Sequence, residues 1–135
     1  MALKISLKPH ERLIIGGAVI SNGAAKSDLV IENNVPILRE KDILGSTNAD
    51  SPCKRVYLAI QLMYIDEKKL AEYHKTYWEL IKDILQALPS RHDLIAEISE
   101  HILHGQYYQA LKLTRKLIEY EQEVLTHARN SARRI

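Results

Sequence analysis

The residues equipped for chemistry are few and scattered along the chain. Cys53 follows Ser51 and Pro52, a pair that opens helices, so its thiol falls in a first helical turn where the dipole favours a thiolate. The plainer reading is a small residue filling that turn. Glu97, His101 and His104 recur at i, i+4 and i+7, one helical face with the spacing of metal ligands. Two imidazoles and a carboxylate from a single segment, without ligands from a second one, read better as a solvated polar face. Gly16-Gly17 lacks the following Lys-Ser/Thr of a phosphate loop. No nucleophile stands with a base and an orienting group. The expectation is a protein that is not an enzyme, with no catalytic residue, metal or cofactor.

What remains is charge and aromatic surface. Lys4, Lys8 and Arg39 could line one sheet edge if the first and fifth strands were neighbours. Basic groups beside backbone donors suit single-stranded RNA, although surface lysines are ordinary. Arg129, Arg133 and Arg134 make a second basic patch at the C-terminus. Tyr73, Tyr77 and Trp78 share one helix, as a partner hot spot or as helix–helix core. Tyr107 and Tyr108 stand at a helix start, with hydroxyls free to meet water.

Two kinds of element must position these groups. Up to about residue 50 apolar residues alternate with polar ones, as in Leu3, Ile5 and Leu7 or Leu13 and Ile15, which is the strand period. Strands are expected over 2–8, 12–15, 18–21, 28–32 and 35–39. Turns are expected at Pro9-His10-Glu11, Gly16-Gly17, Asn22-Gly23 and Asn33-Asn34. Pro36 donates no ladder bond, so it places the fifth strand at an edge or marks its start. Residues 45–51 are polar and turn-rich, a linker. Beyond them the period becomes helical, with helices over about 52–65, 67–88, 91–104 and 106–130. Ser51, Asp66, Pro89 and Gly105 act as punctuation. Ala110, Leu111, Leu117, Ile118, Val124 and Leu125 give the last helix a heptad-like stripe. The fold class is therefore α+β: a small antiparallel β module over residues 1–48, followed by about four helices over 49–135.

With 135 residues and a hydrophobic fraction of 46%, the chain can bury a core, so it is not a disordered one. Nineteen basic residues against 17 acidic ones leave a net charge of +2, too mild to imply nucleic acid on its own. One cysteine, an N-terminus without a signal-peptide core and no run of about 18 apolar residues lead to the expectation of a cytoplasmic protein with no membrane span.

Several runs resemble the flagellar FlbT family: Lys4-Ile5-Ser6-Leu7-Lys8-Pro9, Gly17-Ala18-Val19-Ile20-Ser21-Asn22-Gly23, and Val35-Pro36-Ile37-Leu38-Arg39-Glu40-Lys41-Asp42-Ile43-Leu44. Arg55-Val56-Tyr57, Gln61-Leu62-Met63-Tyr64 and Gly105-Gln106-Tyr107-Tyr108-Gln109-Ala110-Leu111-Lys112, with Leu117-Ile118-Glu119-Tyr120-Glu121, follow in the same order. The resemblance implies a bacterial cytoplasmic regulator that represses flagellin synthesis after transcription. Such a regulator acts through the 5′ leader of flagellin mRNA, promotes that message's decay, and works alongside a small partner, FlaF. Within the β module, Leu3-x-Ile5-x-Leu7, Glu11, Leu13, Ile15-Gly16 and Arg39-Glu40 are also similar to the carbon storage regulator, a β-dimer that binds RNA loops. That similarity implies RNA contacts at Ile5, Ser6, Lys8 and Arg39, and the basic edge adds Lys4 to them. Leu7 departs from it, standing where the regulator has the first of two consecutive basic residues.

The expected function is thus a repressor that binds RNA through the β module, with the helical module serving homo-oligomer formation or FlaF. A different class of function is a chaperone or adaptor whose helix grooves hold flagellin or FlaF, with message stability affected indirectly.

Overall fold

A computed structural model describes residues 2–133, among which five strands precede four helices, an α+β architecture. The strands are β1 (Leu3–Leu7), β2 (Arg12–Ile15), β3 (Ala18–Ser21), β4 (Ser27–Ile31) and β5 (Ile37–Arg39). The helices are α1 (Pro52–Ile65), α2 (Leu70–Ala87), α3 (His92–Leu103) and α4 (Tyr107–Arg133). The chain divides after Ile43 into two compact units.

In the first unit all pairing is antiparallel, in two small sheets. β1 pairs with β4, setting Leu3 opposite Ile31 and Ile5 opposite Leu29. β2 lies between β3 and β5, with Leu13 opposite Ile20 and Arg39, and Ile15 opposite Ala18 and Ile37. Residues paired this way share a face, so alternation in each strand merges into one apolar surface. Ile5, Leu7 and Leu13 are buried there, with Ile15, Ile20, Leu29, Ile31 and Ile37 packed around them. Ile14 and its cross-strand partner Leu38 lie on the other face of the three-stranded sheet and are buried too.

Gly16 and Gly17 turn β2 into β3 with φ of +55° and +88°, the pair of positive angles that a two-residue hairpin loop requires. β5 is an edge strand and begins just after Pro36, which donates no N–H; the Pro36 carbonyl accepts instead from Gly16 N–H at 2.9 Å. The first and fifth strands are not neighbours, contrary to the arrangement that would have lined Lys4, Lys8 and Arg39 along one edge. The apolar face of β1 matches that of β4, and the cross-strand set Leu13, Ile15 and Ile37 draws β5 to β2 instead.

In the second unit Ser51 caps α1, its Oγ accepting from Lys54 N–H at 3.3 Å, and Pro52 occupies the first turn, where no N–H is needed. Val56, Ala59, Ile60 and Met63 form the buried face of α1. Asp66 caps a short 3₁₀ turn that leads into α2, whose Tyr77, Ile81 and Ile84 are buried. α3 buries Ile95, Ile98 and Ile102, and Gly105 at φ +70° ends it. α1 packs against α2 and α4, and α3 packs against α4.

The segment expected to be a linker is fastened to this helical unit. The buried side chain of Gln61 accepts from Leu44 N–H at 2.8 Å and donates to the Leu44 carbonyl at 2.9 Å. At the other end Ser51 Oγ donates to the buried Glu121 carboxylate, which also accepts from Cys53 N–H at 3.1 Å. These bonds hold Leu44 and Ser51 to the helices, in keeping with a second compact unit that begins at Leu44.

Candidate nucleic-acid interface

Residues 8–11 form a tight turn between β1 and β2. Pro9 supplies the fixed φ of its second position, and His10 takes the third with φ of +62°, where glycine is ordinarily preferred. Glu11 N–H closes the turn on the Lys8 carbonyl at 3.1 Å, and His10 N–H donates to the Gly23 carbonyl at 2.9 Å. Asn22 Nδ2 ties the Lys8 and Ala25 carbonyls at 2.7 and 3.0 Å. The turn is therefore built on fixed supports.

Arg39, at the end of β5, reaches this turn. Its Nη2 donates to the Ser6 carbonyl of β1 at 2.8 Å and to Glu11 Oε2 at 3.2 Å. The arginine thus links the two sheets although their strands do not pair. Its side chain remains 39% exposed, against 12% for Glu11. The other Glu11 oxygen accepts from Lys8 N–H at 2.9 Å. That bond first, and then Arg39, hold the Glu11 carboxyl below the usual carboxylate range. Glu40 accepts from Arg12 N–H at 3.3 Å. Together with Lys8, His10 and Lys41, these side chains line an open cleft of about 490 Å³.

Of the five residues singled out for RNA, Lys8 and Arg39 come together in this cleft. Lys4 is exposed on the outer face of β1, 3.9 Å from Asp28 of β4. Ser6 lies on the same outer face, its Oγ donating to Asp28 at 2.8 Å, while its carbonyl holds Arg39. Ile5 is 3% exposed in the core, so its side chain is sealed from any ligand. His10, Glu11, Glu40 and Lys41 were missed from the sequence as site residues. The signal for the first two was the Lys-Pro-His-Glu turn: Pro9 fixes one φ, and a positive φ follows at the next position.

The other candidates resolve into structural roles. Burial foremost, and the neighbouring Glu121 carboxylate, push the Cys53 thiol well up, so it is a small buried residue rather than a nucleophile. His101 Nδ1 lies 2.7 Å from Gln106 Oε1, and His104 Nδ1 lies 2.8 Å from the Glu100 carbonyl. Glu97 instead lines a separate hollow with Arg91 and Lys116. Among the described residues no three metal-binding side chains gather. Tyr77 is core, its hydroxyl 2.8 Å from Ser99 Oγ, and Trp78 meets it edge-on at 4.9 Å while staying 40% exposed. Tyr73 bonds Asp66 at 2.7 Å. The Tyr107 hydroxyl lies 3.0 Å from His74 Nε2 rather than simply facing water, and the Tyr108 ring packs on Tyr64 at 5.9 Å. Arg129 is exposed on α4, whereas the side chain of Arg133 and the whole of Arg134 lie outside the described residues.

The family model of the flagellar protein FlbT matches residues 3–125. The chain belongs to the FlbT family. It is 50% identical over 125 residues to the probable flagellum biosynthesis repressor protein FlbT 1 of Bradyrhizobium diazoefficiens, covering 92% of this chain and 85% of that one. It is 42% identical over 126 residues to the probable repressor FlbT of Rhodopseudomonas palustris, covering 93% and 99%. It is 38% identical over 130 residues to the flagellum biosynthesis repressor protein FlbT of Caulobacter vibrioides, covering 94% and 92%. No solved structure matches the chain. The runs that carry the FlbT resemblance fall in both units: one holds Arg39, Glu40 and Lys41 of the cleft, and others hold the buried anchors Gln61 and Glu121. Among the described residues no helix is long and apolar enough to cross a membrane.

Proposed function

We propose that this protein is a post-transcriptional repressor of flagellin synthesis that binds the 5′ leader of flagellin mRNA through its β module and promotes the decay of that message. Membership of the FlbT family, whose relatives bear the name flagellum biosynthesis repressor, supports repression. The observation that carries the RNA part is the polarity of the cleft. Glu11 and Glu40 each turn a carboxylate oxygen onto a backbone N–H, and beside them stand the exposed Lys8 and an Arg39 that is paired with the other Glu11 oxygen at 3.2 Å yet still 39% exposed. A lysine offers a point charge to phosphate, and an arginine offers geometry as well. Binding is itself the mechanism: an occupied leader is closed to the ribosome or opened to a nuclease, with FlaF as the protein partner.

A gel shift with the full chain and a transcribed flagellin leader, with and without FlaF, tests this reading. The variant carrying Lys4→Glu, Lys8→Glu and Arg39→Glu repels phosphate at each position. It should lose leader binding and flagellin repression while keeping FlaF. Repression that persists in a folded triple variant would overturn the RNA reading.

One observation favours a second reading, in which the helical module is an adaptor for FlaF or flagellin. The apolar stripe of α4 continues beyond the buried Glu121 to Val124 and Leu125, which are 38% and 43% exposed. Loss of FlaF capture on Val124→Asp with Leu125→Asp, at unchanged leader binding, is the result that reading expects.

A further inference from the structure

His10 is the least economical residue in the cleft. Its backbone sits at φ +62°, a region that costs a side-chain-bearing residue roughly 1 kcal/mol or more and that glycine occupies freely. Strain of this kind persists where its surroundings enforce it, and here they do. His10 N–H is bonded to the Gly23 carbonyl, Glu11 N–H to the Lys8 carbonyl, and the Glu11 carboxylate to Lys8 N–H. The ring returns nothing to the fold. It is exposed, and among the described residues it has no hydrogen-bond partner. It nevertheless lines the same cleft as Lys8 and Arg39.

We propose that His10 is a further RNA-contacting residue, whose imidazole stacks on an unpaired base while Lys8 and Arg39 hold the adjoining phosphates. The inference rests on the RNA reading of the cleft and names the kind of contact made there. The chemistry fits the placement. An unpaired base needs a flat ring to lie on, and histidine is one of the side chains that supplies it. Such stacking tolerates any base, because every base has a π-face. Phosphates need the cations on either side.

The test compares the full chain with His10→Gly, His10→Asn and His10→Phe in binding to a transcribed flagellin leader, alongside thermal melts. Glycine relieves the positive φ and should raise the melting temperature, yet weaken leader binding about tenfold. Asparagine tolerates the left-handed region and should show the same loss of affinity, which separates the ring from turn flexibility. Phenylalanine keeps a ring and should retain most of the affinity. A base contact releases no counterions, so the salt slope should stay that of the unaltered protein in all three. Full affinity in His10→Gly or His10→Asn, with the unaltered protein binding normally, would overturn the role of His10 and leave the RNA reading standing. No leader binding by the unaltered protein would overturn both.

Discussion

The two units use the same polar residue types in opposite ways. In the helical unit Glu121 is buried and accepts from Ser51 Oγ and Cys53 N–H, so its charge is absorbed at the start of α1. In the β unit Glu11 makes a comparable bond to Lys8 N–H, but at the rim of an open cleft and against an arginine that solvent still reaches. One carboxylate completes a core, and the other arranges a surface. A charged group taken out of water must be bonded on all sides and then has nothing left for a ligand. A group left at the surface contributes little to stability and stays available for recognition. Stability and binding should therefore separate by unit when these residues are changed.

The largest effect is expected at Glu121. Glu121→Ala leaves the Ser51 hydroxyl and Cys53 N–H without their acceptor in a buried site, and should destabilise the protein by about 2–3 kcal/mol in urea unfolding. Leader binding below the melting range should hardly change. A loss under about 0.5 kcal/mol would break the comparison, since it would make this bond no more valuable than an exposed one.

Arg39→Ala should show the reverse pattern. Leader affinity is expected to fall by about 1–3 kcal/mol at moderate salt, with a nearly normal melting curve. Lys8→Ala should cost less affinity and lower the salt slope by about one, because lysine meets phosphate as a single charge. If Arg39→Ala instead unfolds the β unit, the link from Arg39 to Ser6 and Glu11 is a strut and not a recognition element.

The smallest effect is expected with pH. The folded-state pKa of Glu11 is depressed, so the stability it contributes is present above its ordinary value of 4.5 and is lost as pH falls through the depressed one. Asp50, held by Lys54, and Asp66, held by Tyr73, are depressed as well and share this acid limb. Glu11→Gln should therefore remove only part of the acid-side loss in a melting-temperature profile taken below pH 4.5. An unchanged profile would show that the rim carboxylate is not coupled to folding.

Much of this molecule is legible in its sequence, for local reasons. Alternation over Leu3, Ile5 and Leu7, the Gly16-Gly17 pair and the Ser51-Pro52 start each impose a conformation on neighbouring residues, and β2, β3 and α1 fall on the expected residues. Gly105 and Pro89 stop helices because of their own backbone chemistry. The candidate site was legible only in part. Lys8 and Arg39 stand out as basic residues in family-like runs, but the edge expected to join them depended on strand neighbours. Pairing is decided by which apolar faces fit together across the fold, so β1 went to β4 and β5 to β2.

The sequence by itself determined the change of period from strand to helix, the sites of most turns, the apolar faces and the family. Each of these is written in residue types and their spacing along the chain. Only the tertiary structure decided that Arg39 bridges to Ser6 and Glu11, that Gln61 and Glu121 fasten the expected linker to the helices, and that His10 adopts a left-handed backbone beside the two cations. Those contacts join residues distant in sequence, or depend on hydrogen bonds from several segments at once, and no local preference encodes them.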